Sequence, residues 1–124
     1  SIASMTLGGD GALWFTDPQR NAIGRMSAGG SLQEFPLPSA NALAAPWYGQ
    51  WQIATACDGA VWFTEPGPNK VARMDSAGVL DEFALPTPAA LPGPIAASPR
   101  GRKCTSPELW IGEQHANALA AVSF

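Results

Sequence analysis

The sequence predicts an all-β chain, a β-propeller assembled from four-stranded antiparallel blades. Three observations predict it. Offset by 48, residues 10–38 match residues 58–86 at 16 of 29 positions, and a period of about 40–50 residues is that of a propeller blade. Each unit holds four short aromatic and aliphatic runs, separated by Asp-Gly, Pro-Gly, Ala-Gly or proline-rich breaks at the spacing of roughly 8–12 residues that marks short strands and turns. No window sustains a helical period between caps, and proline interrupts most candidates.

The shared frame justifies the strands in order. It runs Asp-Gly, then apolar-Trp-Phe-Thr-acid, then Asn, then apolar-x-Arg-Met, then Gly, and closes on Glu-Phe-x-Leu-Pro. With strands lettered A to D from the axis outward, blade one (1–38) is expected at 1–8, 12–17, 21–27 and 31–37. Blade two (46–86) follows at 49–56, 60–65, 69–75 and 79–85. A third copy is marked by Leu109, Trp110, Glu113 and Asn117, which stand 48 after Val61, Trp62, Glu65 and Asn69. Blade three (91–124) has A near 93–98, B near 108–113, C near 117–124 and no D. The total is eleven strands, about 2.75 blades, in one partial propeller over 1–124.

A residue required by every blade serves the blade. Trp14, Trp62 and Trp110 recur at one place in strand B, where an aromatic covers on the order of 150–250 Å², so all three are expected between blades. Arg25 and Arg73, and the acids Asp17, Glu65 and Glu113, are expected to form charge pairs or loop hydrogen bonds repeated by symmetry.

Seven basic against ten acidic residues leave a net charge of −3, which argues against nucleic acid or an anionic membrane held by bulk charge. No apolar run approaches the roughly 18 residues of a membrane helix. A start at Ser1 reads as a processed or trimmed chain, so the missing leader is silent on export. Cys57 and Cys104 lack metal-site spacing; both fall in A–B loops of adjacent blades, where a disulfide is one reading and two buried thiols the other. A disulfide implies an extracellular or periplasmic location, and reduced thiols leave the cytoplasm as the alternative.

The motifs D-G-x-φ-W-F-T-[DE], N-x-φ-x-R-M and E-F-x-L-P resemble the repeat of the streptogramin lyases, the virginiamycin B lyase family, over nearly the whole chain. That resemblance implies a closed propeller of seven blades and a magnesium-dependent elimination that opens the ester of a cyclic peptide antibiotic. It also implies a catalytic histidine in a His-Gly-Ile stretch opening an A strand, with a glutamate 14 positions on. Glu65 matches the glutamate, but Trp51 stands 14 residues earlier; Asp17 is paired with Ala3, and the stretch before Glu113 reads Pro92-Gly93-Pro94-Ile95. No blade here supplies that histidine.

Function is expected where the copies disagree. The first D–A connector spans 15 residues from Pro38 to Ile53, against 9 from Pro86 to Ile95, and carries Trp47, Tyr48 and Trp51 as candidate ligand-stacking residues. The A–B loop of blade three gains six residues in exchange and holds Arg100, Arg102 and Lys103, either solvated or a local anion patch. His115, the single histidine, falls in a B–C loop beside Glu113. An unperturbed pKa of about 6.5 suits it as a base, and Glu65 with Glu113 offers hard oxygen ligands for magnesium.

Two functions follow. The first is a non-catalytic propeller that binds a small molecule, peptide or protein through Trp47, Tyr48 and Trp51. The alternative is a magnesium-dependent carbon–oxygen lyase acting on a cyclic depsipeptide, with Glu65 and Glu113 as metal ligands and His115 as base. Three blades leave apolar flanks and unpaired edges, so closure is expected from self-association, or from further blades in a longer parent chain.

Overall fold

The computed structural model describes residues 3–43, 53–97, 108–114 and 117–123, and its regular structure there is all strand. Blade one comprises β1 (Ser4–Leu7), β2 (Leu13–Asp17), β3 (Ala22–Met26) and β4 (Leu32–Pro36). Blade two comprises β5 (Ile53–Thr55), β6 (Val61–Glu65), β7 (Lys70–Met74) and β8 (Leu80–Ala84). Blade three comprises β9 (Pro92–Ala97), β10 (Glu108–Glu113) and β11 (Ala118–Ser123). Each blade is an antiparallel meander in chain order, and the two complete ones share one register: Trp14 faces Arg25 as Trp62 faces Arg73. The eleven strands lie at the expected strand positions to within a few residues.

The innermost strands β1, β5 and β9 pack in succession, which sets the sheets face to face. Two apolar cores result. The first joins Ala12, Trp14, Ile23 and Leu37 of blade one to Ile53, Val61, Phe63, Ala72 and Met74 of blade two. The second joins Ala60, Trp62, Val71 and Leu85 to Ile95, Leu109 and Ile111 of blade three. Period-two alternation explains the split, since successive strand residues serve opposite junctions: Trp62 goes forward while Val61 and Phe63 go back.

Trp14 and Trp62 are 2% and 1% exposed, and each stacks on the D-strand phenylalanine of its own blade, Phe35 or Phe83, at 5.8 or 6.0 Å. Trp110 departs from the expectation. It is 46% exposed, because among the described residues no D strand flanks it and no further blade faces it.

The Asp-Gly turns explain two more constants of the repeat. Gly11 and Gly59 sit at φ 81° and 83°, where glycine carries no Cβ penalty. Asp10 Oδ1 accepts from Ala12 N at 3.0 Å and Trp14 Nε1 at 3.1 Å, while Oδ2 accepts from Arg25 Nε at 2.9 Å. Asp58 repeats the pattern with Ala60 N at 3.1 Å and Arg73 Nε at 3.0 Å. Arg25 and Arg73 are therefore structural charge pairs. Partial burial pushes the Asp10 carboxyl up, but the Ala12, Trp14 and Arg25 donors outweigh it and hold the group below its ordinary value.

Candidate functional site

The repeated asparagine builds the face on which the acids lie. Asn21, Asn69 and Asn117 end the B–C turns at φ 51°, 63° and 50°, a left-handed conformation that asparagine tolerates better than most residues. Asn21 Nδ2 donates to Ser39 O at 2.8 Å and its Oδ1 accepts from Ala42 N at 2.8 Å. Asn69 does the same with Thr87 O at 2.9 Å and Ala90 N at 3.0 Å. One side chain thus fixes each D–A connector to the B–C turn, and both loops belong to one face.

The connectors reach the next blade. Ser39 Oγ donates to Glu82 Oε2 at 3.1 Å, and Thr87 Oγ1 to Glu113 Oε1 at 3.2 Å. Gly67 N donates to Ala42 O at 3.2 Å, closing the same seam through the backbone.

Glu65 and Glu113 end β6 and β10, as the sequence places them, and are 0% and 4% exposed. No donor among the described residues reaches either oxygen of Glu65, nor Oε2 of Glu113. Burial first, and then the adjacent Glu82, push the Glu65 carboxyl up to about 8, although Lys70 pulls the other way. Glu82 is held below its ordinary value by the Glu65 carboxyl, then by Ser39 and by Lys70, whose Nζ lies 3.8 Å from Glu82 Oε1. The pair is satisfied when Glu65 keeps its proton and donates it to Glu82. Asp17 behaves differently: it accepts from Arg20 N at 3.3 Å, and Arg20 Nη1 bridges to Glu34 at 2.6 Å. Among the described residues the three acids have different neighbours: Arg20 for Asp17, Glu82 for Glu65 and Thr87 for Glu113.

Trp47, Tyr48, Trp51, His115 and the basic stretch Arg100, Arg102 and Lys103 lie outside the described residues. Cys57 is disulfide-bonded, and the chain's other cysteine, Cys104, lies outside them too. The described residues hold no group of three His, Cys, Asp or Glu arranged to bind a metal. An open cleft of about 520 Å³ lies beside Glu113, lined also by Gln114, Asn117 and Leu119. Lys70, Glu82, Ser39 and Thr87 were not singled out from sequence; the offset of 48 between Ser39 and Thr87, both hydroxyls, was the available signal.

The model of the virginiamycin B lyase family matches residues 1–124. The chain belongs to that family. Among solved structures, a streptogramin B lyase is 34% identical at a TM-score of 0.74, covering 97% of this chain and 39% of its own. A catalytically inactive virginiamycin B lyase variant from Staphylococcus aureus, crystallised with quinupristin, is 35% identical at a TM-score of 0.77, with the same coverage. Virginiamycin B lyase from Bordetella bronchiseptica is 59% identical over 32 residues, 26% of this chain and 11% of that protein. The chain therefore spans about two fifths of these structures, and the match to the curated relative about a tenth of that protein. These neighbours are propeller lyases, and this chain carries their blades without closing a sheet ring.

Proposed function

We propose that the chain provides a ligand-binding face of a streptogramin-lyase-like propeller, and that its ligand is a cyclic depsipeptide of the kind present with the quinupristin-bound relative. The observation that carries this reading is the fixing of the first D–A connector. Asn21 holds its beginning to the B–C turn of blade one, and Ser39 Oγ ties it to Glu82 of blade two. That same connector continues in sequence to Trp47, Tyr48 and Trp51. Aromatic rings on a connector anchored to polar groups combine apolar cover with orienting hydrogen bonds, the usual make-up of a small-molecule site.

A second reading, magnesium-assisted elimination, is favoured by the buried carboxylate oxygens of Glu65 and Glu113 that lack a donor. Hard oxygens of this kind fit magnesium in donor chemistry, so Glu65 and Glu113 are the residues to hold it. When bound, the ion draws electron density from a ligand carbonyl and makes the neighbouring proton more acidic. His115 is then the candidate to take that proton.

Calorimetric titration with quinupristin, with and without magnesium, separates the two. Binding without magnesium that is lost in Trp47→Ala and Trp51→Ala, with intact quinupristin recovered by mass spectrometry, supports the binding reading. A linearised product that needs magnesium and disappears in His115→Ala supports the lyase. Neither binding nor turnover refutes both.

A further inference from the structure

We propose that the second D–A connector is a positioning device for Glu113, with Thr87 as its positioning residue; the inference rests on the magnesium reading above. Register, backbone conformation and hydrogen bonding converge on this one carboxyl. Along β10, Leu109, Trp110 and Ile111 stand opposite Ala97, Ala96 and Ile95 of β9, but Glu113 stands opposite Pro92 rather than Gly93. A shift of this kind re-aims the side chains beside it and is common next to functional sites. The remaining strand pairs keep an unbroken register. Gly112 lies within the shift, where a Cβ would stand 3.2 Å from Pro94 Cδ.

The connector that feeds this strand is itself strained. Ala89 and Leu91 lie at φ 47° and 54°, a left-handed conformation that suits neither alanine nor leucine. At the position corresponding to Ala89, the first connector uses an asparagine, Asn41, at φ 51°. Such strain persists only where the surroundings hold it, and it collects at functional sites. Here the holding bonds run to the end of β10 and to Asn69. Thr87 Oγ1 donates to Glu113 Oε1 at 3.2 Å, and Gln114 N donates to Leu91 O at 3.3 Å, so the connector grips Glu113 by its side chain and by the next peptide. Asn69 fixes the connector in turn through Thr87 O and Ala90 N. Glu113 is 4% exposed, and no donor among the described residues reaches its Oε2. One oxygen is held and the other is left to accept. A carboxylate oriented beforehand by an outer hydroxyl gives up little side-chain freedom when it takes a cation. Thr87 therefore acts on the ion through Glu113, without touching it.

Calorimetric titration of the whole chain with magnesium chloride alone tests this, with urea unfolding of each variant alongside. Wild type should bind the ion and Glu113→Gln should not. Thr87→Val keeps the side-chain shape, removes the hydroxyl and should weaken magnesium binding about 10–100-fold, as loss of an outer partner of a metal ligand does. Thr87→Ser retains a hydroxyl, as Ser39 does in the preceding seam, and should bind as wild type does. A merely structural bond predicts the opposite pattern: a lower urea midpoint for Thr87→Val with its magnesium affinity unchanged. That pattern overturns this inference alone, and so does a Thr87→Ser chain that binds as weakly as Thr87→Val. A wild-type chain that binds no magnesium, or binding that survives Glu113→Gln, overturns the assignment of Glu113 to the ion and this inference with it.

Discussion

Replacing Glu65 with glutamine should flatten the dependence of stability on pH between about 4.5 and 8. Glu65 has its folded pKa raised from 4.5 to about 8, so the unfolded chain gives up this proton first as pH rises. The stabilisation is complete below about 4.5 and is lost as pH climbs through about 8. Taken alone, that interval corresponds to roughly 5 kcal/mol at most. Glu82 is shifted in the opposite direction within the same pair, which offsets part of it and leaves an expectation on the order of 2–3 kcal/mol. Glutamine stays neutral, and its amide can donate to Glu82 as the protonated acid does. Urea unfolding at pH 5, 7 and 9 should show wild type and Glu65→Gln nearly equal at pH 5, with the variant more stable at pH 9. His115 is common to both proteins, so its titration cancels in the difference. Parallel curves across this range would refute a proton held between Glu65 and Glu82. Added magnesium gives a further check: it should stabilise wild type at pH 9 and leave the variant unmoved if Glu65 and Glu113 hold a cation.

Three further outcomes follow from the packing. Trp62→Ala should cost about 3–5 kcal/mol in urea unfolding, as for a fully buried aromatic, whereas Trp110→Ala, at 46% exposure, should cost less than about 2. Asn69→Ala loses two hydrogen bonds and puts at φ 63° a residue that tolerates the left-handed region less well than asparagine; a loss of about 2–3 kcal/mol is expected, of which Asn69→Gly should recover about 1. Reducing the Cys57 disulfide should lower stability by about 2–4 kcal/mol, read as a fall in Tm with dithiothreitol that is absent in Cys57→Ser.

The fold was legible because a blade is specified locally and then repeated. Asp10-Gly11 and Asp58-Gly59 fix turns, Trp-Phe alternation assigns two faces, and the offset of 48 removes chance. Trp110 holds the strand position expected of it, and its exposure has a cause that lies outside its own strand. Repetition identifies the face a residue occupies, while burial depends on what stands opposite. The acids were half legible: their positions at strand ends followed from pattern, but their partners did not. Asp17 finds Arg20, Glu65 finds Glu82, and Glu113 finds Thr87, contacts that vary while the acid recurs. The asparagines were seen as markers of the repeat, and their clamp on the connectors needed coordinates, since its acceptors and donors are backbone atoms.

The hydroxyl that steadies an acid in one unit is carried on the stretch leaving the unit before it, at Ser39 for blade two and Thr87 for blade three. A tandem duplication cut at any point in this frame therefore delivers donor and acceptor together, already in step. Growth of such a ring by copying needs no later repair at the seams, whereas exchanging a single unit for a foreign one disturbs two of them.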